Sequence, residues 1–131
     1  AAAEDAARFA AALAERLQPL LPAGLTRLFY SDDGSTAVEI ALKLAYQAQE
    51  RRGEGQRRLF VALEGGYHGD TFGAMAVGDP DPFFLPFREL LFDVRRVAPT
   101  AEALAALLEQ EGQRAAALIV EPLIQGAAGM R

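Results

Sequence analysis

Apolar residues recur every four positions at Phe9, Leu13 and Leu17, with Ala6 and Ala10 beside them, which predicts a helix over residues 3–18. Pro19 and the Pro22-Ala23-Gly24 turn end it. The β-branched and aromatic run from Thr26 to Ser31 predicts a short buried strand. Asp32-Asp33-Gly34 breaks that strand, and a second helix is expected from about Thr36 to Arg52. Ser35 and Thr36 stand where its N-cap belongs, and Thr36 and Glu39 have the T-x-x-E spacing of a capping box. Glu39, Lys43, Gln47 and Glu50 make one polar stripe; the remainder is largely apolar, which predicts burial on most sides.

Further along, the nearly unbroken apolar run from Arg58 to Leu63 predicts a central strand covered on both faces. Phe72 to Val77 predicts a short helix or a turn of small residues, and Asp79 to Phe87 a proline-punctuated loop anchored by its phenylalanines. Leu91 to Val97 reads as a weaker strand. Thr100 then caps a helix whose buried face carries Leu104, Leu107 and Leu108 and which Gly112 ends. Ala116 to Val120 is the last strand, interior by its composition. Helix, strand, helix, strand, loop, strand, helix, strand is the order of an α/β fold with a mostly parallel sheet and flanking helices. Nothing in residues 1–131 marks an internal domain boundary.

Composition narrows the function classes. At 51% hydrophobic and 24% charged, the 131 residues suit a globular domain. A net charge of -5 argues against a nucleic-acid partner. The lack of cysteine and the single histidine exclude disulfides, thiolate metal sites and histidine clusters. No apolar run is long enough to span a bilayer, and the alanine-rich start carries Glu4 and Asp5 rather than a basic segment. A cytoplasmic protein without a membrane partner is the expectation. The chain opens inside a helical pattern and stops after a glycine-rich turn, so it reads as an internal fragment of something longer.

Three polar stretches each follow an expected strand: residues 32–36, 64–71 and 121–126. Ligands collect at such strand ends in open α/β sheets. In the first, the helix-start amides beside Ser35 and Thr36 suit either a simple cap or a phosphate. In the second, glycines surround Tyr67 and His68, a pair that fits structural support or a site. In the third, Glu121 leaves a buried strand, as a hydrogen-bond hub or as part of a site. Lys43, the only lysine, reads as a solvated surface charge. The first turn lacks G-x-G-x-x-G and G-x-x-x-x-G-K-[ST], which counts against the common nucleotide modules.

Asp33-Gly-Ser-Thr-Ala-Val-Glu-Ile-Ala-Leu-Lys43, Glu64-Gly-Gly-Tyr-His-Gly-Asp-Thr-Phe-Gly-Ala-Met75 and Val120-Glu-Pro-Leu-Ile-Gln-Gly126 together resemble the consecutive motifs of class III aminotransferases. The resemblance covers nearly the whole chain. It implies a piece of the large domain of a fold-type I enzyme, with pyridoxal 5′-phosphate (PLP) as cofactor. It further implies that Gly34, Ser35 and the Thr36 amide hold the cofactor phosphate. Tyr67 would pack on the pyridine ring and face the substrate, His68 would support that ring, and Glu121 would steady the site below it. Asp33 stands where the family often has Ser or Asn, and is expected to point away from the phosphate.

The Asp70-Thr-Phe-Gly-Ala-Met75 continuation is most similar to the biotin-synthesis branch of the family. That branch passes the amino group of S-adenosylmethionine to 8-amino-7-oxononanoate, giving 7,8-diaminononanoate. Gly126, where several amine-specific relatives carry an acid, points the same way. In the family the lysine that forms the cofactor aldimine, and the aspartate that pairs with the pyridine nitrogen, lie beyond Arg131. The segment alone is therefore expected to be inactive, and the intact protein to be a homodimer. Two other readings stay open: another class III aminotransferase with a different donor or acceptor, and a non-catalytic phosphate-binding α/β module.

Overall fold

A computed structural model describes residues 2–79, 84–127 and 129–130. Residues 1–30 and 31–131 form two units. In the first, helix α1 (Ala2–Leu17) stops where Pro19 removes a backbone donor, and the chain tightens into a 3-10 turn over Gln18–Leu20. The Tyr30 hydroxyl donates to the Ala10 carbonyl at 2.7 Å. The strand expected over Thr26–Ser31 does not form: residues 25–30 are irregular, and Phe29 is 73% exposed. Its side chains suit a pleated, half-buried surface, but propensity builds no ladder without a paired neighbour.

The second unit is organised on a three-stranded parallel sheet in which β1 (Leu59–Leu63) lies between β2 (Val94–Val97) and β3 (Ala115–Ile119). Phe60 pairs with Val94 and Leu63 with Val97 on one side; Phe60 pairs with Ala117 and Ala62 with Ile119 on the other. The central position explains the unbroken apolar run of β1, whose Val61 and Ala62 are fully buried. Strand β2 is shorter than the expected Leu91–Val97, because its pairing starts only at Phe60↔Val94. Parallel neighbours need crossovers. Helix α3 (Phe72–Val77) and a 3-10 turn (Leu85–Leu90) supply the first, and helix α4 (Ala101–Glu111) the second. The expected loop of residues 79–87 lies partly outside the described residues, at Pro80 to Phe83.

Helix α2 (Gly34–Arg51) packs on this sheet through Leu42, which meets Phe60, Val77 and Ala116, with Val38 and Ala45 alongside. The expectation of burial on most sides is not met: Leu42 is its one buried residue, and Leu44 and Tyr46 are exposed. A sheet covers one face of a helix, however apolar the others are. The capping box also differs. Asp33 is the N-cap; its side chain accepts from the Thr36 amide at 2.8 Å, while the Asp33 amide donates to Thr36 Oγ1 at 3.1 Å. Aspartate, with its free carboxylate, outcompetes Thr36 as the cap acceptor, and this leaves Glu39 for another partner. Thr100 caps α4 as expected, accepting from the Ala103 amide at 3.2 Å.

Candidate functional site

The polar stretches after β1 and β3 and at the start of α2 meet through side chains that each bridge two of them. Ser35, on the first turn of α2, accepts from the Asp70 amide at 3.1 Å. This contact is possible because residue 69 is glycine: its φ is +127°, and a Cβ there would lie 2.2 Å from Ser35 Oγ. Glu121, just past β3, spans the other junction. One oxygen accepts from the Tyr67 amide at 3.1 Å and the other from the Gly126 amide at 2.9 Å. Of the two roles open to Glu121, the hydrogen-bond hub is therefore filled.

Tyr67 is half exposed. Its ring lies against buried Phe84, with centroids 6.1 Å apart and planes 21° from parallel, so one face is covered by protein. Its hydroxyl donates to Asp70 Oδ1 at 2.9 Å, and that bond, more than burial, raises the phenol pKa above its ordinary value. His68 is half buried. Burial pulls its imidazole below the usual pKa, although the Glu121 carboxylate opposes the shift.

The start of α2 has free donors of a predictable kind. A helix leaves its first amides without intrahelical partners. Asp33 takes that of Thr36, so Gly34 and Ser35 carry the remaining ones. The Thr36 amide, expected to hold a phosphate, donates to Asp33 Oδ1, and the Thr36 hydroxyl donates to the Asp33 carbonyl at 3.0 Å. Asp33, expected to point away, folds its carboxylate onto this same turn. Lys43 is exposed on α2, nine residues past Gly34, about 13 Å along the helix from the site.

Several contributors were not read from the sequence. Glu39 accepts from Thr71 Oγ1 at 2.7 Å and from the Gly73 and Ala74 amides, so it caps α3 from a different helix. Asp79 accepts from the Gly65 amide at 2.8 Å, and buried Gln125 donates to the Glu64 carbonyl at 3.1 Å. Only Gln125 had a local signal, as a member of the polar stretch 121–126. Among the described residues no His, Cys, Asp and Glu group could hold a metal ion, and no helix is long and apolar enough to cross a membrane.

The family description Aminotransferase class-III matches residues 5–131. The chain is 45% identical over 133 residues to the adenosylmethionine-8-amino-7-oxononanoate aminotransferase of Synechococcus elongatus, which covers 91% of this chain and 31% of that protein. The crystal structure of the protein of that name from Methanocaldococcus jannaschii is similar, with a TM-score of 0.83 and 41% identity over 89% of this chain and 28% of that one. A PLP-bound amine transaminase from an uncultivated Pseudomonas species is similar over 76% of this chain and 27% of its own, with a TM-score of 0.66 and 34% identity. The chain thus spans less than a third of the length of these relatives.

Proposed function

Because the chain belongs to the class-III aminotransferase family, we propose that it forms part of the large PLP-binding domain of an enzyme that passes the amino group of S-adenosylmethionine to 8-amino-7-oxononanoate. The names of the Synechococcus and Methanocaldococcus relatives support the substrate pair. The family and the PLP-bound relative support the cofactor, and with it set aside a phosphate-binding module of another kind. The same reading makes the intact protein a cytoplasmic homodimer.

One observation carries the assignment: the Ser35–Asp70 contact brings the free amides of a helix start next to the loop that holds a half-open tyrosine ring. That donor set fits a phosphorylated aromatic cofactor. The Gly34 and Ser35 amides and the Ser35 hydroxyl would hold the phosphate, where the helix dipole favours an anion. The open face of Tyr67 would take the ring, with Phe84 behind it. When bound, the cofactor supplies the electron sink that amino-group transfer needs. The chain's own residues orient and steady it. Glu121 fixes the Tyr67 backbone and Asp70 the Tyr67 hydroxyl, and His68, the next residue along the chain, would support the ring.

Ser35→Ala in the full-length protein tests the reading. It removes a charge-assisted hydrogen bond to phosphate worth about 1.5–3 kcal/mol, so PLP should dissociate at least about 10-fold more readily. Visible absorbance after dialysis measures this. Unchanged PLP retention with a lowered melting temperature reduces Ser35 to an anchor for the Asp70 loop. If S-adenosylmethionine leaves the absorbance of the bound cofactor unaltered while another amine changes it, the substrate pair is wrong and the family stands.

A further inference from the structure

Ser35 and Glu39 are four residues apart, on the same face of α2. Both reach the segment that follows Tyr67. Ser35 takes the Asp70 amide, and Glu39 takes the Thr71 hydroxyl and the Gly73 and Ala74 amides, all three on Oε1. The carboxylate can come this close because residue 73 is glycine; a Cβ there would lie 2.5 Å from Glu39 Oε2 and 2.8 Å from its Cδ. A half-buried carboxylate with three donors on one oxygen is held in one place. On the incoming side, the loop is held by Asp79 at Gly65 and by Glu121 at Tyr67. Neither of those carboxylates belongs to α2, the helix whose first amides would hold the phosphate.

We propose that Glu39 is a positioning residue: it ties the loop that carries Tyr67 to α2, and so sets the distance between the phosphate-holding amides and the ring-holding tyrosine. The inference rests on the PLP reading above. Phosphate and ring belong to one rigid molecule. A helix that grips the loop at two successive turns makes their two subsites a single body, and a loop that loses Glu39 keeps only the Ser35 contact to α2, so Tyr67 would be set less firmly against the phosphate-holding amides.

The test is a double-mutant cycle in the full-length protein with PLP as the probe. Glu39→Gln keeps an accepting oxygen and loses the charge. It should weaken PLP binding about 3- to 10-fold when Tyr67 is present, as expected for downgrading charge-assisted bonds. In the Tyr67→Leu background the same change should cost less than about 2-fold, because residues that act through one another are not additive. The visible circular dichroism per bound PLP, which reports ring orientation, should fall in Glu39→Gln. Equal losses in both backgrounds, or unchanged dichroism, overturn the inference and leave Glu39 a fold-supporting cap, while the function reading survives. Wild-type protein that takes up no PLP overturns both.

Discussion

Helix α2 runs for 18 residues and buries one of them; helix α3 runs for six and buries five. The long helix carries its own cap, Asp33 and Thr36 closing on each other within four residues. The short one has none. Its N-cap, Thr71, makes no side-chain cap bond, and its ends are completed by charges from elsewhere in the chain. Glu39 of α2 satisfies the first amides, and Arg96 of β2 donates to the Ala76 carbonyl at 2.6 Å and to the Gly78 carbonyl at 2.9 and 2.6 Å. Anion at the N-terminus and cation at the C-terminus match the helix dipole. Six residues cannot sustain a helix by propensity. The α3 turn exists because the fold closes around it, and α2 is already specified locally.

The comparison breaks first at Arg96. Arg96→Met should leave the buried Ala76 and Gly78 carbonyls without their donor and cost about 2–4 kcal/mol in the local stability of α3. Hydrogen exchange of a peptide covering residues 72–78 in the full-length protein should quicken accordingly. Burial lowers the Arg96 pKa from its ordinary value, with Asp79 opposing, yet an arginine stays charged throughout this range. Exchange in residues 72–78 as slow as in wild type would mean that packing alone holds the short helix.

A smaller effect is expected at the self-capped helix. Asp33→Ala should cost about 1 kcal/mol, seen as faster exchange confined to the first turn of α2. Residues 72–78 should be unaffected, since Glu39 sits beyond that turn. If α3 loosens as well, the two helices are one cooperative unit and the contrast between them is only of degree.

The smallest effect is a pH dependence at His68. Its folded pKa lies below the unfolded value of 6.5. The unfolded chain therefore takes up the proton first, and stability that is full above pH 6.5 declines as pH falls from there toward the folded pKa. His68→Gln should flatten melting temperature against pH across that window. Retention of the wild-type slope would assign it to other groups.

How much was legible follows from how far apart the interacting residues lie. The central strand, α4 with its Thr100 cap, and the polar ends of β1 and β3 could be read directly, because each depends on a few consecutive residues. The motifs around Gly34, Tyr67 and Glu121 were also legible, and the family match over residues 5–131 agrees with them. Glu39 shows where local reading stops. Its spacing from Thr36 is that of a capping box, yet its partners are 32 to 35 residues away. The stretch from Thr26 to Ser31 shows the converse, with the composition of a strand and no ladder.

Sequence alone determined the elements whose hydrogen bonds close within one turn and whose apolar period matches one face, the long helices and the central strand, and it marked the glycines around Tyr67, of which Gly69 takes positive φ. Tertiary structure alone decided which carboxylate meets which amide. Glu39 went to α3, Asp79 to Gly65 and Glu121 to Tyr67 and Gly126. All three are acidic residues at turns or helix faces, and nothing in their neighbours distinguishes them. An ionised carboxylate leaving water gains only where several donors converge, and that convergence is a property of the assembled loops and not of any one of them.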